Sequence, residues 1–139
     1  MREPVPSSVS AEAAPVTEAW FAYWEYVAKT GSNPKAEDPA STVGQVASGK
    51  AASDLVDQMS GLAAKTEHLV GTMRVTVQSA TVTGSTGTVC SSIRDLSWSV
   101  DAAGNPTAAQ LLRTPVFKGA LVVSGPTWRV ASMQRVQSC

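Results

Sequence analysis

Near residue 65 the apolar residues of this chain change period, and that change restricts the fold more than any other feature. From Ala11 to about Lys65 the sequence is Ala-rich and its apolar residues recur at helical spacing. After Val70 it is dense in Val and Thr and alternates in polarity, as half-buried strands do. The expected class is therefore α+β: three N-terminal helices packed on a curved four-stranded antiparallel sheet, within one domain over residues 11–139.

The first helix opens near Pro15, since proline suits a first turn and Glu18 then lies near the positive end of the dipole. Trp20, Tyr23, Trp24 and Val27 follow the i, i+3, i+4, i+7 pattern with Phe21 beside them, so this helix is the main donor to the core. Tyr26 falls at the edge of that stripe. Lys29-Thr30-Gly31 ends the helix, with Gly31 free to adopt a left-handed cap and Pro34 blocking continuation. Asp38-Pro39 reads as an N-cap and first-turn proline that open a short piece through about Val46. Ala51 to Ala64 is a third helix with Leu55, Met59 and Leu62 on one side, while Asp54, Asp57 and Lys65 point away. Thr66 to Gly71 is a connector.

Met73, Val75 and Val77 alternate, and so do Ala80 and Val82, which predicts one long strand with a bulge near Gln78-Ser79. Gly84 to Gly87 is a hairpin turn into a strand over about Thr88–Val100. Asp101 to Pro106 is the next turn, enlarged into an Ala-rich excursion through Leu112. Val116–Val123 and Thr127–Val136 complete a meander, joined at Ser124-Gly125-Pro126.

The two cysteines are Cys90, on the second strand, and Cys139, the last residue. We read them as a disulfide that closes a loop of about fifty residues, worth roughly 4 kcal/mol in the chain-entropy model. The second and fourth strands are not neighbours in a meander, so the tail has to reach across a face of the sheet. Such a bond persists in oxidising compartments, which places the domain outside the cytosol. Met1 to Ser10, rich in Pro and Ser, reads as a disordered lead-in without the order of a signal peptide. An exported origin then implies a leader removed ahead of this sequence.

Composition removes several functions. Eleven basic residues balance eleven acidic ones without runs of either sign, which argues against a nucleic-acid partner or an anionic membrane surface. No apolar run approaches a membrane span. One histidine and two paired cysteines form no zinc-like ligand set, and no phosphate loop, dinucleotide fingerprint or nucleophile elbow occurs, so neither metal nor cofactor is expected.

The layout resembles that of nuclear transport factor 2-like proteins, the cone-shaped fold shared by ketosteroid isomerase and scytalone dehydratase. Ala19 to Trp24, Thr88-Val89-Cys90, Pro126 to Val130 and the closing Cys139 together look like a group of small exported proteins and lipoproteins of actinobacteria. Where that group often carries an acidic residue beside its central cysteine, this chain has Ser91-Ser92. The resemblance implies an extracytoplasmic, disulfide-closed domain of mostly unassigned function, with room for a lipid anchor on a removed N-terminus. The polar inventory is too poor for catalysis while the helix-plus-sheet layout offers a broad face, so the expected role is non-catalytic, as a homodimer or a partner of an envelope protein.

Each polar candidate has two readings. His68 is a general base or an exposed connector residue. Asp95 is a carboxylate facing the cone, as in isomerases of this fold, or a surface residue paired with Arg94 or Arg113. Tyr26 is a hydrogen-bond donor in a pocket or an edge-of-core aromatic. Trp20, Trp24, Phe117 and Trp128 are expected to fill the interior. The alternative to protein–protein interaction is a small-molecule carrier or an isomerase-like or dehydratase-like enzyme, with Tyr26, His68 and Asp95 as its polar device. A cavity holding a convergent carboxylate favours that alternative, and one packed with the four aromatics excludes it.

Overall fold

A computed structural model describes residues 1–108 and 113–139, so the expected excursion through Leu112 lies largely outside the described residues. Helix α1 spans Ala14–Ser32, α2 Pro39–Thr42 and α3 Gly49–Ala64; strands β1 (His68–Thr83), β2 (Thr86–Val100), β3 (Val116–Ser124) and β4 (Thr127–Val136) follow. The strands form one antiparallel sheet in the order β1-β2-β3-β4, with the helices packed on one face. The change of period near residue 65 is the boundary between the two layers.

Two irregularities bend the sheet. The β1–β2 register slips between Val77 and Ser79, where the alternation of apolar residues breaks, and the β3–β4 register slips between Ala120 and Leu121. The slip keeps Val75, Val77 and Ala80 on the buried face, because an extra residue resets a period of two.

Helix α1 seats on two glycines. A Cβ on Gly87 would press on Val16, and one on Gly119 would overlap the ring of Trp20, one helical turn further on. Val16 and Trp20 are fully buried as a result, together with Phe21, Leu55, Met59, Val77, Val89, Ile93, Leu121 and Val130.

Several local expectations change. Gly31 does not form a left-handed cap: it lies inside α1, buried against Leu69, and the helix ends at Asn33, whose N–H donates to the Thr30 carbonyl. Asp38 has a left-handed backbone, with φ of 47°, and no capping bond from its side chain to the helix backbone. Instead its carboxylate accepts from the Ser41 hydroxyl at 2.6 Å. The connector is shorter than expected, because His68 to Gly71 already pair with Val100 to Ser97 and belong to β1. Residues 1–3 are not free chain either. Val75 on the outer edge of β1 donates to the Met1 carbonyl at 3.0 Å and accepts from the Glu3 N–H at 2.9 Å. Arg2 reaches Glu18 and Glu25 on α1, and its guanidinium lies 4.5 Å over the Phe21 ring. Edge pairing and this cation–aromatic contact supply partners that composition alone does not reveal.

Cys90 and Cys139 are bonded, with Cα atoms 5.8 Å apart. Cys90 points to the face away from the helices, since its neighbours Val89 and Ser91 are buried on the helix side. The tail therefore crosses β3 on the outer face to reach β2. No helix among the described residues is long and apolar enough to cross a membrane.

Three stability results are expected. Replacing Cys139 with Ser should lower the unfolding free energy by about 4 kcal/mol, and denaturant titration of the oxidised protein against this variant checks it. Gly119→Ala should cost about 1–3 kcal/mol by overpacking Trp20. Gly61→Ala, on α3 with open space around it, should gain about 0.5–1 kcal/mol. Equal effects at the two glycines would refute the seating described above.

Candidate functional site

Beyond Trp20, α1 presents Tyr23, Trp24 and Val27 to a part of the sheet that carries side chains instead of glycine, and a cavity of about 420 Å³ opens there between α1, α3 and the sheet. Its inner end is apolar, with Leu55, Leu69, Met73 and Ile93. One wall is aromatic. Tyr23 and Trp24 meet edge to face with ring centroids 5.2 Å apart, and Trp24 and Phe117 lie 5.7 Å apart at 35°. Such offset and edge contacts suit the ring quadrupoles and hold the wall rigid. The indole N–H of Trp24 is buried and has no hydrogen-bond partner among the described residues.

The rim is polar. Lys50, Asp54 and Gln58 stand on successive turns of α3, all exposed, and Lys50 donates to Asp54 at 2.5 Å. An exposed pair of this kind adds little stability, so its effect is on the charge at the mouth. Ser97 and Asp95 face the cavity from β2, and Ser132 from β4.

Asp95 is half-buried on the cavity wall. Its Oδ1 accepts from the Ser97 backbone N–H at 2.9 Å and from the Ser97 hydroxyl at 2.5 Å. Its own backbone N–H donates to the Arg113 carbonyl at 2.9 Å, so the chain is pinned there by main-chain pairing. No cation lies within ion-pair distance of its carboxylate among the described residues, whose ion pairs engage Glu3, Glu18, Glu25, Glu37 and Asp54.

The other two candidate groups are elsewhere. Tyr26 uses its hydroxyl on Thr42 at 2.7 Å, tying α1 to α2. His68, half-buried at the start of β1, lines a separate depression with Asn33 and Glu67. Tyr26, His68 and Asp95 therefore do not converge. Of the four aromatics expected to fill the interior, Trp20 does so; Trp24 and Phe117 are walls of the cavity, and Trp128 is half-buried beside the core.

Two lining residues do not stand out as site residues in the sequence. Tyr23 is buried in the core stripe and Asp54 is exposed on α3, as their spacing predicts, and both also border the cavity. The spacing of Lys50, Asp54 and Gln58 along one flank of the Leu55 stripe is the signal for such a rim. Burial first, and then the charge of Asp54, push the Tyr23 phenol up to about 12. Among the described residues no group of three or more His, Cys, Asp or Glu side chains is placed to hold a metal ion.

No family model and no curated protein matches the sequence. Among solved structures the chain is similar to the intermembrane space region of the chloroplast protein ARC6, with a TM-score of 0.78 and 14% identity over 93% of this chain and 99% of that one. A designed protein, Rd1NTF2, aligns over 87% of this chain and 99% of its own at 10% identity, with a TM-score of 0.48 that is too low to carry an argument. The fold is thus α+β, three N-terminal helices on a four-stranded antiparallel sheet, and it is the fold of that ARC6 region. The resemblance to actinobacterial exported proteins rests on the sequence motifs alone.

A pH test follows from Tyr23. A phenol whose folded value lies above its unfolded one gives stability that is complete below pH 10 and is lost as pH rises through about 12. Urea unfolding at pH 9 and pH 11.5 should therefore show a loss in the native protein that is smaller in Tyr23→Phe. An equal loss in both would mean that Tyr23 is not the group responsible.

Proposed function

We propose that this domain is a non-catalytic binding module working outside the cytosol, and that it holds a segment of a partner protein in the mouth between α1, α3 and the sheet. The observation that carries this reading is the open aromatic cavity, with its rigid wall of Tyr23, Trp24 and Phe117 and its polar rim on α3. Preformed apolar pockets with a few placed polar groups are common binding sites. Other surfaces are partly occupied. The tail crosses the outer face to Cys90, residues 1–3 pair with the edge of β1 at Val75, and Val46 and Ser48 pair with the edge of β4 at Val130.

Binding is favoured over turnover because the polar groups that an acid–base device needs are dispersed. Asp95 is held by Ser97, while Tyr26 and His68 lie at other places. The disulfide supports an oxidising compartment, and the intermembrane space, where the similar ARC6 region lies, agrees with a site outside the cytosol. Attachment at a cell envelope, with or without a lipid anchor on a preceding segment, is the form this takes in the exported proteins whose motifs the chain resembles. A second reading, a small-molecule carrier or isomerase-like enzyme, has Asp95 on the cavity wall in its favour.

Photo-crosslinking in the cells that make the protein tests the interaction reading. A benzophenone side chain at Gln58, on the rim, should give an adduct with another protein; one at Arg94, exposed on the opposite face, should not. Gln58→Trp, which narrows the mouth, should remove binding of the partner so identified. Adducts from residue 94 alone would overturn the reading.

A further inference from the structure

We propose that the cavity bounded by Tyr23, Trp24 and Phe117 binds an organic cation, an alkylammonium or guanidinium group, with Asp95 as its counter-charge. The inference rests on the mouth being the binding surface, and it specifies the chemistry that enters.

Asp95 is the first reason. Its carboxylate is half-buried on the cavity wall, Ser97 satisfies Oδ1 twice, and no cation accompanies it among the described residues. A partly desolvated carboxylate without a counter-charge is costly, and a cation brought in by a ligand offsets that cost. The paired Lys50 and Asp54 at the rim cancel each other, so the charge left on the lining is that of Asp95.

The aromatic wall is the second. Tyr23, Trp24 and Phe117 are contiguous rings on the lining of the same cavity, and ring faces attract cations more strongly where water is excluded. The protein already makes this pairing once, in the seat of Arg2 over Phe21. The Tyr23 phenol, raised by burial, stays neutral and adds no second anion. Apolar Leu55, Met73 and Ile93 behind the wall provide for the hydrocarbon part of an alkylammonium. A purely apolar ligand would leave Asp95 unmatched, and an anion would be repelled by it.

The cation has two possible sources, a free amine or the Lys or Arg side chain of a partner segment. Tryptophan fluorescence and calorimetric titrations with choline, n-butylammonium and the neutral isostere 3,3-dimethylbutanol test the shared chemistry. The two cations should saturate a single site, and the neutral isostere should bind about tenfold more weakly or worse, which corresponds to at least one 1.4 kcal/mol step. Asp95→Asn should remove that preference, and Asp95→Glu, which keeps the charge, should retain most of it even if both variants are less stable. Equal affinity for choline and its isostere, no saturable binding of any probe, or a preference unchanged in Asp95→Asn would each overturn the proposal. Blocked lysine and arginine (Nα-acetyl, C-methylamide) then separate the sources. Tighter binding of these than of n-butylammonium assigns a partner's side chain, and the reverse order a free amine. The outcome is distinguishable from that of the interaction reading. Crosslinks from residue 58 without cation binding sink the cation site alone; cation binding without crosslinks sinks the protein partner alone.

Discussion

Trp20 occupies a slot that exists because residue 119 has no side chain. Val16 uses the same device one turn earlier, at Gly87, so the first half of α1 lies close on β2 and β3. Burying these side chains is the main local gain that holds helix to sheet, because apolar area removed from water dominates stabilisation. The next turn of α1 meets Phe117 in place of a glycine, and there the contact becomes a cavity wall. The two layers therefore lie close at Gly87 and Gly119 and are held apart by side chains at Phe117.

The periphery closes the sheet on three sides. Residues 1–3 pair with β1, residues 46–48 with β4, and the tail crosses the outer face to the disulfide. Unpaired edges invite other strands, so these covers restrict where another chain can attach. The covalent link also joins the last residue to β2, and its contribution acts mainly on the unfolded chain, whose freedom it removes. These features leave the mouth between α1 and α3 uncovered, one of several depressions among the described residues.

The mouth combines two environments. Its interior is apolar and aromatic, and its one sheet-borne carboxylate is oriented by Ser97 without a histidine beside it. Aromatic rings held by edge contacts need little ordering when a ligand arrives, and preorganisation of this kind favours affinity. The same carboxylate in the same place is what a proton-transfer site would use, so the distinction lies in which groups accompany it. Tyr26, engaged with Thr42, and His68, in another depression, do not.

Much of the architecture was legible before any coordinates. The switch of period near residue 65, the proline at the start of α1, the broken alternation at Gln78-Ser79 and the glycine turns set three helices, four strands and their order, since local sterics and amphipathic period act within a few residues. The spacing of Cys90 and Cys139 also indicated a staple across the sheet. The site was less legible. Whether Asp95 faced solvent or the cavity depended on the register with Met73 and Arg113, and whether Trp24 filled the interior or lined a cavity depended on what stood opposite it. The sequence by itself determined which elements form and which faces are apolar, because those follow from neighbours along the chain. Only the tertiary structure decided that Gly119 admits Trp20, that Phe117 holds Trp24 at a wall, and that Tyr26 and His68 stay apart from Asp95, because these depend on distances between residues far apart in sequence.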